Sequence, residues 1–369
     1  MKKIKKLFAL ALSCLCLIAL SGCGSEEQAS KKLIGVSMPN TVATRWIQDG
    51  ANIKQNLLAM GYDVDLQYAE DIPEKQDEQI RQMIANGAEC LVITPINSEA
   101  IKSAMKEAKE KKIPVIAYDR LISGTDNVLC YVTFDSHKIG MEIGSYVEQR
   151  LQLKDGKGPY NVEFLAGSPD DNNAKLLNDG VLAVLQRYID SGQIVVPSGR
   201  VKFEDVAITR WLQKSAQERL TDTLQNVYAP RGLHIDAVIS EFDGLSYGAG
   251  DALLSSGYAL GSDWPIITGQ DGELRAARDI TFNKQSMTMF KDTRLLAEKC
   301  AKMVQDATSH KKPELTGGAV YQNGVTEVPA EHCEAVLVDA SNIYDKLIDS
   351  GYYDDAELAT PKDSATTSK

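Results

Sequence analysis

The chain alternates short, continuous apolar runs with longer segments in which apolar residues recur at helical spacing. Continuous Val, Ile and Leu runs are typical of strands buried on both faces, and their alternation with helices favours a parallel sheet covered on both sides. The first block predicts strands at Leu33–Met38, Val64–Tyr68, Cys90–Thr94, Ile113–Tyr118 and Tyr131–Phe134. The helices predicted between them are Val42–Met60, Glu74–Asn86 and Ser98–Lys111, the last with Ser98 as its N-cap.

The same rhythm restarts after Phe134. The second block predicts strands at Asn161–Ala166, Ile194–Val196, Ile235–Ser240 and Pro265–Thr268. Its predicted helices are Lys138–Leu151, Ala174–Ile189, Thr209–Gln225 and Ser246–Ser255. Two successive blocks predict an α/β fold with two similar doubly wound parallel-sheet lobes. Residues 354–369 are polar and rich in Thr, Ser and Asp, which predicts a disordered tail.

The beginning of the chain has the pattern of an export signal. Lys2, Lys3, Lys5 and Lys6 precede an apolar run that ends at Leu20, which is short for a membrane span. The following Ser21-Gly22-Cys23 completes a pattern that looks like a bacterial lipobox, with Cys23 as the lipidated first residue of the mature protein. An ordinary signal peptide with an incidental cysteine is the alternative. We therefore expect a signal peptide at 1–22, a tether at 23–32, and a lipid-anchored extracytoplasmic protein, periplasmic or on the cell surface.

Composition narrows the classes of function. Without the four signal lysines, 36 basic residues face 51 acidic ones, a net charge of −15. Such an acidic chain with no basic cluster is a poor nucleic-acid binder. The length beyond Cys23 exceeds a single core and predicts about two domains.

The cysteines indicate no metal site. Cys90, Cys130, Cys300 and Cys333 remain after the signal and the lipobox, and no two form a CxxC pair. A disulfide involving Cys333 is left open. No metal or cofactor is expected.

Polar residues follow the predicted strands, where ligands gather in this architecture. These strand-end residues are Asn40, Asp119-Arg120, the 167–173 loop, Phe242-Asp243-Gly244 and Gln270-Asp271. With the ring faces of Trp46 and Trp211, this mixture suits a pyranose, which has hydroxyls in its plane and a C–H-rich face.

Each of these residues also has a structural interpretation. Asp243 or Asp271 could be a helix N-cap, Arg45 a solvated charge, Trp46 a core residue, and Arg120 a surface partner of Asp119. Their recurrence at one topological position favours a binding cleft.

One pattern points to an enzyme. Gly244-Leu245-Ser246-Tyr247-Gly248 matches the GxSxG nucleophile elbow, and His310 and His332 follow it in the chain. Neither histidine lies in a clear strand-end loop and no oxyanion motif is evident, so a serine hydrolase using Ser246 is the weaker alternative.

A series of motifs, in order along nearly all of residues 33–355, resembles the periplasmic-binding-protein type I superfamily. The similarity is to the branch that contains xylose-binding proteins and the multiple-monosaccharide-binding protein of plant-associated bacteria. The motifs are Arg45-Trp46, LQYAEDIP at 66–73, IPVIAYDR at 113–120, YVTFDSHKIG at 131–140, GSPDDNNAKL at 167–176, IDAVISEFDG at 235–244, TGQD at 268–271, TMFKDTRLLA at 288–297 and YQNGVTEVP at 321–329.

The resemblance implies a sugar receptor with a three-strand hinge between its lobes. One lobe would comprise residues 33–134 plus 271–290, and the other residues 135–270 plus 291–353. The crossings would lie near Phe134–Asp135, Gln270–Asp271 and Phe290–Asp292. The ligand residues that it implies are Arg45, Trp46, Asp119, Arg120, Asp171, Asn173, Trp211, Phe242, Asp243, Asp271 and Lys291.

One position departs from the xylose binders. Glu241-Phe242 stands where they tend to carry a Ser-Asn pair, whereas the multiple-sugar branch has an aromatic residue at the position of Phe242. Galactose and glucose are therefore expected as much as xylose or arabinose.

The resemblance also implies a function and partners. It implies a monomeric, non-enzymatic receptor that closes on a monosaccharide and delivers it to an ABC permease. A sensor that presents its closed form to a chemoreceptor or histidine kinase is the alternative.

Overall fold

The computed structural model describes residues 31–359, which form β-sheets covered by helices. The predicted signal peptide, Cys23 and residues 360–369 lie outside the described residues. The strands are β1 (Leu33–Met38), β2 (Asp63–Tyr68), β3 (Ala88–Ile93), β4 (Val115–Tyr118), β5 (Cys130–Phe134), β6 (Tyr160–Leu165), β7 (Ile194–Val195), β8 (Ala237–Ser240), β9 (Ile266–Ile267), β10 (Gln270–Asp271), β11 (Met287–Phe290), β12 (Ala319–Gln322), β13 (Glu327–Cys333) and β14 (Val336–Asp339).

The α-helices of the described residues are α1 (Thr44–Ala59), α2 (Pro73–Ala85), α3 (Lys102–Glu110), α4 (Ser136–Arg150), α5 (Asn172–Asp190), α6 (Phe203–Val206), α7 (Gln213–Thr223), α8 (Asp243–Ser255), α9 (Leu274–Thr281), α10 (Thr293–Thr308) and α11 (Asp355–Ala359). Seven of these α-helices correspond to predicted ones, whereas α6, α9, α10 and α11 were not predicted. Shorter helical turns lie at Leu153–Asp155, Thr209–Trp211, Leu224–Tyr228, Ala229–Arg231 and Tyr344–Ile348. No helix of the described part is long and apolar enough to span a membrane.

The first sheet has seven strands in the order β12-β13-β5-β4-β3-β1-β2, and only the β12–β13 pair is antiparallel. Helices cover both faces. On one face, Val92 packs with α1 and α10, whereas its neighbours Leu91 and Ile93 pack with α2 and α3 on the other. This two-sided burial explains why the strand sequences are apolar throughout rather than alternating.

A second, four-stranded parallel sheet has the order β7-β6-β8-β9. A three-stranded sheet, β10-β11-β14, continues it, because the Ser286 amide donates to the Ile267 carbonyl (2.8 Å) and the Met289 amide to the Gly269 carbonyl (3.0 Å). The carboxyl ends of β6, β8 and β10 therefore lie along one edge.

The strand pairing corrects the predicted division of the chain. β10 pairs in parallel with β11, so residues 271–290 stay with the second sheet instead of joining the first. In contrast, α10 packs on α1 and β3–β5, and β13 pairs with β5, so residues 293–333 belong with the first sheet. The chain thus passes between the sheets after Phe134, after Phe290 and after Cys333, and the predicted crossing at Gln270–Asp271 is wrong.

The lobes themselves remain a prediction. The described residues from Leu33 to Ala359 form one compact unit. Three segments connect the sheets, and short connecting segments of this kind can act as hinges.

Two local predictions also change. α3 begins at Lys102 rather than Ser98, because the Asn97 side chain accepts from the Glu99 amide (2.9 Å) and holds a turn there. The predicted disordered tail begins with α11, whose Leu358 is buried against Ala277 and Ile280.

The disulfide question is settled for the described cysteines. Cys90, Cys130, Cys300 and Cys333 are all buried free thiols.

Candidate functional site

A cavity of about 210 Å³ lies where the carboxyl ends of strands from both sheets come together. Of the predicted ligand residues, all but Asp243 line it. Its lining comprises Asn40, Val42, Ala43, Arg45, Trp46, Asp71, Ile96, Asp119, Arg120, Ser136, Ser168, Asp170, Asp171, Asn173, Leu177, Arg210, Trp211, Leu212, Gln213, Phe242, Gly244, Tyr247, Gln270, Asp271, Glu273 and Lys291.

Arg45 is the centre of the polar wall. Its guanidinium, 4% exposed, donates to Asp49 (3.1 Å), Asp119 (2.7 Å) and Asp271 (3.1 Å). These carboxylates come from α1, the end of β4 and the end of β10. A buried cation requires such compensation, because desolvation of an unpaired charge is costly. Arg45 therefore links the two sheets across the cavity.

Asp49 supports Arg45 from behind. It lies one turn later on α1, is fully buried, and accepts the hydroxyl hydrogen of Tyr118. Burial raises the pKa of the Asp49 carboxyl to about 6, against the opposing attraction of Arg45. The sequence analysis did not single out Asp49. Its position four residues after Arg45 on the predicted helix would have indicated that the two side chains can pair.

A second set of contacts joins the end of β4 to the start of α5. Arg120 pairs with Asp171 (3.0 Å), and the Asn173 amide donates to the Asp119 carbonyl (2.6 Å). Asp171 also caps α5 by accepting from the Asn173 backbone amide (3.0 Å). The predicted residues of the two segments thus form one bonded group.

The backbone is strained at the carboxylates. Asp119 (φ 59) and Asp271 (φ 101) adopt left-handed conformations that non-glycine residues seldom take. Their bonds to Arg45 hold them there. Burial acts to raise the pKa of Asp119, but attraction by Arg45 and the neighbouring cations outweighs it and keeps that pKa below its usual value.

Two aromatic surfaces face the polar groups. The guanidinium carbons of Arg45 and Arg120 lie 4.5 and 5.2 Å from the ring centroid of Trp46. Trp211 and Phe242 form an edge-to-face pair with centroids 5.9 Å apart. Trp46 is therefore a cavity residue rather than a purely core residue.

Asp243 is the exception among the predicted ligand residues. Its side chain is fully buried and accepts from Gln285 (2.8 Å), Thr288 (3.1 Å) and the Glu273 amide (2.9 Å). The Asp243 side chain connects α8 to the β10–β11 segment and is absent from the cavity lining, so it is not placed as the predicted ligand contact. It is not the N-cap of α8 either, because Phe242 holds that position and Asp243 is the first residue of the helix.

The serine hydrolase interpretation is wrong. The Ser246 hydroxyl is buried and bonds to the Thr268 carbonyl (2.6 Å) and to the Ser240 hydroxyl (2.9 Å). The GxSxG pattern opens α8 but does not expose a nucleophile. Among the described residues, no group of three or more His, Cys, Asp or Glu could hold a metal ion.

Several lining residues were not predicted as ligands. Gln270 is one of the strand-end residues of the sequence analysis but is not among the predicted ligands. Its side-chain Oε1 is buried and has no hydrogen-bond partner among the described residues. Glu273 accepts from the Tyr247 hydroxyl (3.0 Å), and burial raises its pKa to about 7. No sequence pattern marked Glu273 or Tyr247 as a ligand residue, since both reach the cavity only through the packing of α8 and α9.

The site is suited to a neutral, hydroxyl-rich ligand. Apart from the exposed Arg210, each cation that lines it is already paired with a carboxylate: Arg45 as above, Arg120 with Asp171, and Lys291 with Asp271 (3.3 Å). Little net positive charge remains to attract an anion. Fixed donors and acceptors opposite aromatic faces instead suit a sugar ring.

Comparison with known proteins gives consistent matches. The family described as periplasmic binding protein domain matches residues 34–312. The multiple sugar-binding periplasmic protein SbpA of Azospirillum brasilense is 42% identical over 343 residues, which is 93% of this chain and 95% of that protein. The D-xylose-binding periplasmic protein of Escherichia coli is 32% identical over 330 residues, or 89% of this chain and 93% of that protein.

A solved structure is similar over most of the chain. It is an ABC transporter solute-binding protein from Clostridium phytofermentans with bound β-D-glucose. The TM-score is 0.85 at 41% identity, with 89% of this chain and 100% of that chain covered.

Trp211 and Phe242 form an aromatic wall of the cavity, and Glu241 lies behind it. Its carboxyl accepts from Asn178 (2.9 Å) and from the Gly167 amide (3.3 Å), and burial raises its pKa to about 8 against these bonds. In the unfolded chain the Glu241 carboxyl has its ordinary pKa of 4.5. Between that pH and about 8, the folded protein therefore keeps a proton on Glu241 that the unfolded chain has released. This contribution to stability is full below the ordinary pKa and is lost as the pH rises through about 8.

Glu241→Gln should remove this pH dependence, because an amide stays neutral throughout. Relative to the variant, the wild-type free energy of unfolding should fall by about 1.4 kcal/mol per pH unit between roughly pH 5 and pH 8. Urea unfolding at several pH values measures the difference, with the exposed Glu204→Gln as control. Parallel curves for wild type and Glu241→Gln would contradict the assignment.

Proposed function

Because this chain belongs to the periplasmic binding protein domain family, we propose that it binds a monosaccharide in the Arg45-centred cavity and delivers it to an ABC permease. Family membership confirms the predicted α/β fold class and a binding rather than enzymatic role. It also means an extracytoplasmic location.

The observation that carries the proposal is the arrangement around Arg45. Three carboxylates fix its guanidinium, so its remaining donor capacity and the free carboxylate lone pairs point in defined directions. When a donor and an acceptor lie side by side, one sugar hydroxyl can accept a hydrogen bond from the first and donate one to the second. A site built this way favours ligands that carry each hydroxyl and rejects those that lack one.

We assign roles on this basis to the ten predicted ligand residues that line the cavity. Arg45, Arg120, Lys291 and Asn173 would donate to sugar oxygens. Asp119, Asp171 and Asp271 would accept from hydroxyls. Trp46, Trp211 and Phe242 would pack on the C–H faces of the ring.

The range of sugars is proposed to include aldohexoses. A relative named for binding multiple sugars is more similar to this chain than the xylose-binding protein of Escherichia coli, and the similar solved structure contains β-D-glucose. Phe242 supplies an apolar surface in the cavity lining. We propose glucose, galactose, xylose and arabinose as the candidate ligands.

Closure would depend on contacts between the parts of the chain on either side of the cavity. Opening would break the Arg45–Asp271 and Arg120–Asp171 pairs, and a sugar that contacts the same residues would favour the closed state by differential affinity. The segments after Phe134, Phe290 and Cys333 would serve as the hinge.

A panel of aldoses tests the function directly. Isothermal calorimetry with glucose, galactose, xylose and arabinose should show at least one ligand with a Kd well below a millimolar. The same sugar should raise the melting temperature by mass action. Binding no tighter than roughly millimolar for every aldose would refute the proposal.

Trp211→Ala should weaken sugar binding by about 1–3 kcal/mol, because the ring is proposed to pack on the sugar. The matched control is Trp264→Ala. Trp264 is also half-buried but lies outside the cavity lining, and its indole N–H donates to the Lys284 carbonyl (2.8 Å). Calorimetry compares the two, and equal affinities for wild type and Trp211→Ala would remove this ring from the site.

A lipid anchor at Cys23 would keep the receptor near its permease at high effective concentration. Cys23→Ser should move the protein from the membrane fraction to the soluble fraction, as measured by immunoblotting of fractionated cells. Cys16→Ser, within the predicted signal, is the control and should leave the distribution unchanged. A Cys23→Ser protein that stays in the membrane fraction would contradict the anchor.

A further inference from the structure

The six-membered ring of Trp211 rests directly on Gly167. A Cβ atom at Gly167 would lie 2.0 Å from Cη2, 2.2 Å from Cζ2 and 2.4 Å from Cζ3 of that ring. Three adjacent ring atoms at such similar distances mean that the Cβ would meet the face of the ring rather than its edge. The φ of Gly167 lies outside the left-handed region, so the ring, and not the backbone conformation, requires a glycine here.

The backbone that carries the ring cannot easily move away from Gly167, because it is bonded to the 166–168 segment. A clash at residue 167 must therefore be relieved by the Trp211 side chain itself. The Ile208 amide donates to the Ala166 and Gly167 carbonyls (3.1 and 3.0 Å), and the Arg210 amide donates to the Ser168 hydroxyl (2.8 Å). Trp211 itself has a left-handed backbone (φ 56). Such a conformation persists only where the surrounding structure fixes it.

Phe242 restricts the ring from the side. It meets Trp211 edge to face, and it rests on a glycine of its own, since a Cβ at Gly244 would lie 2.4 Å from its Cε1. Trp211 lines the cavity and Gly167 does not. The ring therefore stands between Gly167 and the cavity.

We propose that Gly167 is a positioning residue that sets the size of sugar accepted, by fixing how far Trp211 stands back from the cavity. This inference rests on the proposed function. A methyl group at residue 167 must reach ordinary contact of 3.4–4 Å, so the ring has to advance by more than an ångström. In a cavity of about 210 Å³, an aldohexose then loses more affinity than the smaller aldopentose.

The test is a double-mutant cycle with Gly167→Ala and Trp211→Phe, measured by calorimetry with D-glucose and D-xylose. Gly167→Ala alone should weaken glucose binding at least tenfold and xylose binding less than threefold. In the Trp211→Phe background, which lacks the outer ring atoms, the same change should alter glucose binding less than twofold. Gly317→Ala is the control, because no atom lies within 4 Å of its added Cβ.

The outcomes separate the two proposals. Wild-type protein that binds no sugar overturns the proposed function and this inference with it. If wild type binds sugar, an unchanged glucose-to-xylose ratio in Gly167→Ala, or equal losses in both backgrounds, overturns this inference alone. If Gly167→Ala fails to fold, a double variant that binds like Trp211→Phe supports the inference, and a double variant that also fails to fold overturns it.

Discussion

The buried pairing of one guanidinium with three carboxylates is the interaction on which the site depends. Arg45 meets Asp49 from its own helix, Asp119 from the first sheet and Asp271 from the second. Removing a single partner of a buried ion group leaves an uncompensated charge, at a cost of about 3–5 kcal/mol. The positions of α1, β4 and β10 relative to one another are therefore fixed by electrostatics as well as by apolar packing.

This pairing also determines what the cavity can bind. A buried arginine without a partner would select an anion. A guanidinium that is already paired with carboxylates still offers hydrogen bonds in fixed directions, but it has no net attraction for an anionic ligand. The strained backbones of Asp119 and Asp271 show that the fold maintains these carboxylates at a conformational cost. A neutral polyol opposite aromatic rings is the ligand class that such a lining favours.

The aromatic wall follows a different rule, since steric contact rather than charge positions it. Trp211 and Phe242 each rest on a glycine, and backbone hydrogen bonds hold the segment that carries Trp211. Glu241 accepts from Asn178 of α5 and from the amide of Gly167, which lies under the Trp211 ring, and so connects α5 to that wall. The Arg45 group thus sets the directions of the hydrogen bonds offered to a ligand, whereas Trp211 and Phe242 set the depth of the apolar side of the cavity. A change in one group need not disturb the other.

Hydrophobic periodicity was enough to predict the strands β1–β9 and seven of the helices, but no element after Thr268 was predicted. Residues such as Asp119, Asp171 and Asp271, which line the cavity, were singled out because they follow strands. These signals are local. The motifs added the family, which confirmed the fold class.

Strand pairing determines which sheet each later segment joins, and it places residues 271–290 with the second sheet and residues 293–333 with the first, the reverse of the prediction. Only the tertiary structure separates Asp243, which is bonded inside the protein, from the chemically identical Asp271, which faces the cavity. Asp49, Glu273 and Gly167 likewise have partners distant in sequence or contacts that no motif records. The physical reason is that strand pairing, burial and the close approach of a ring to a glycine are contacts between remote segments, and periodicity along the chain carries no information about them.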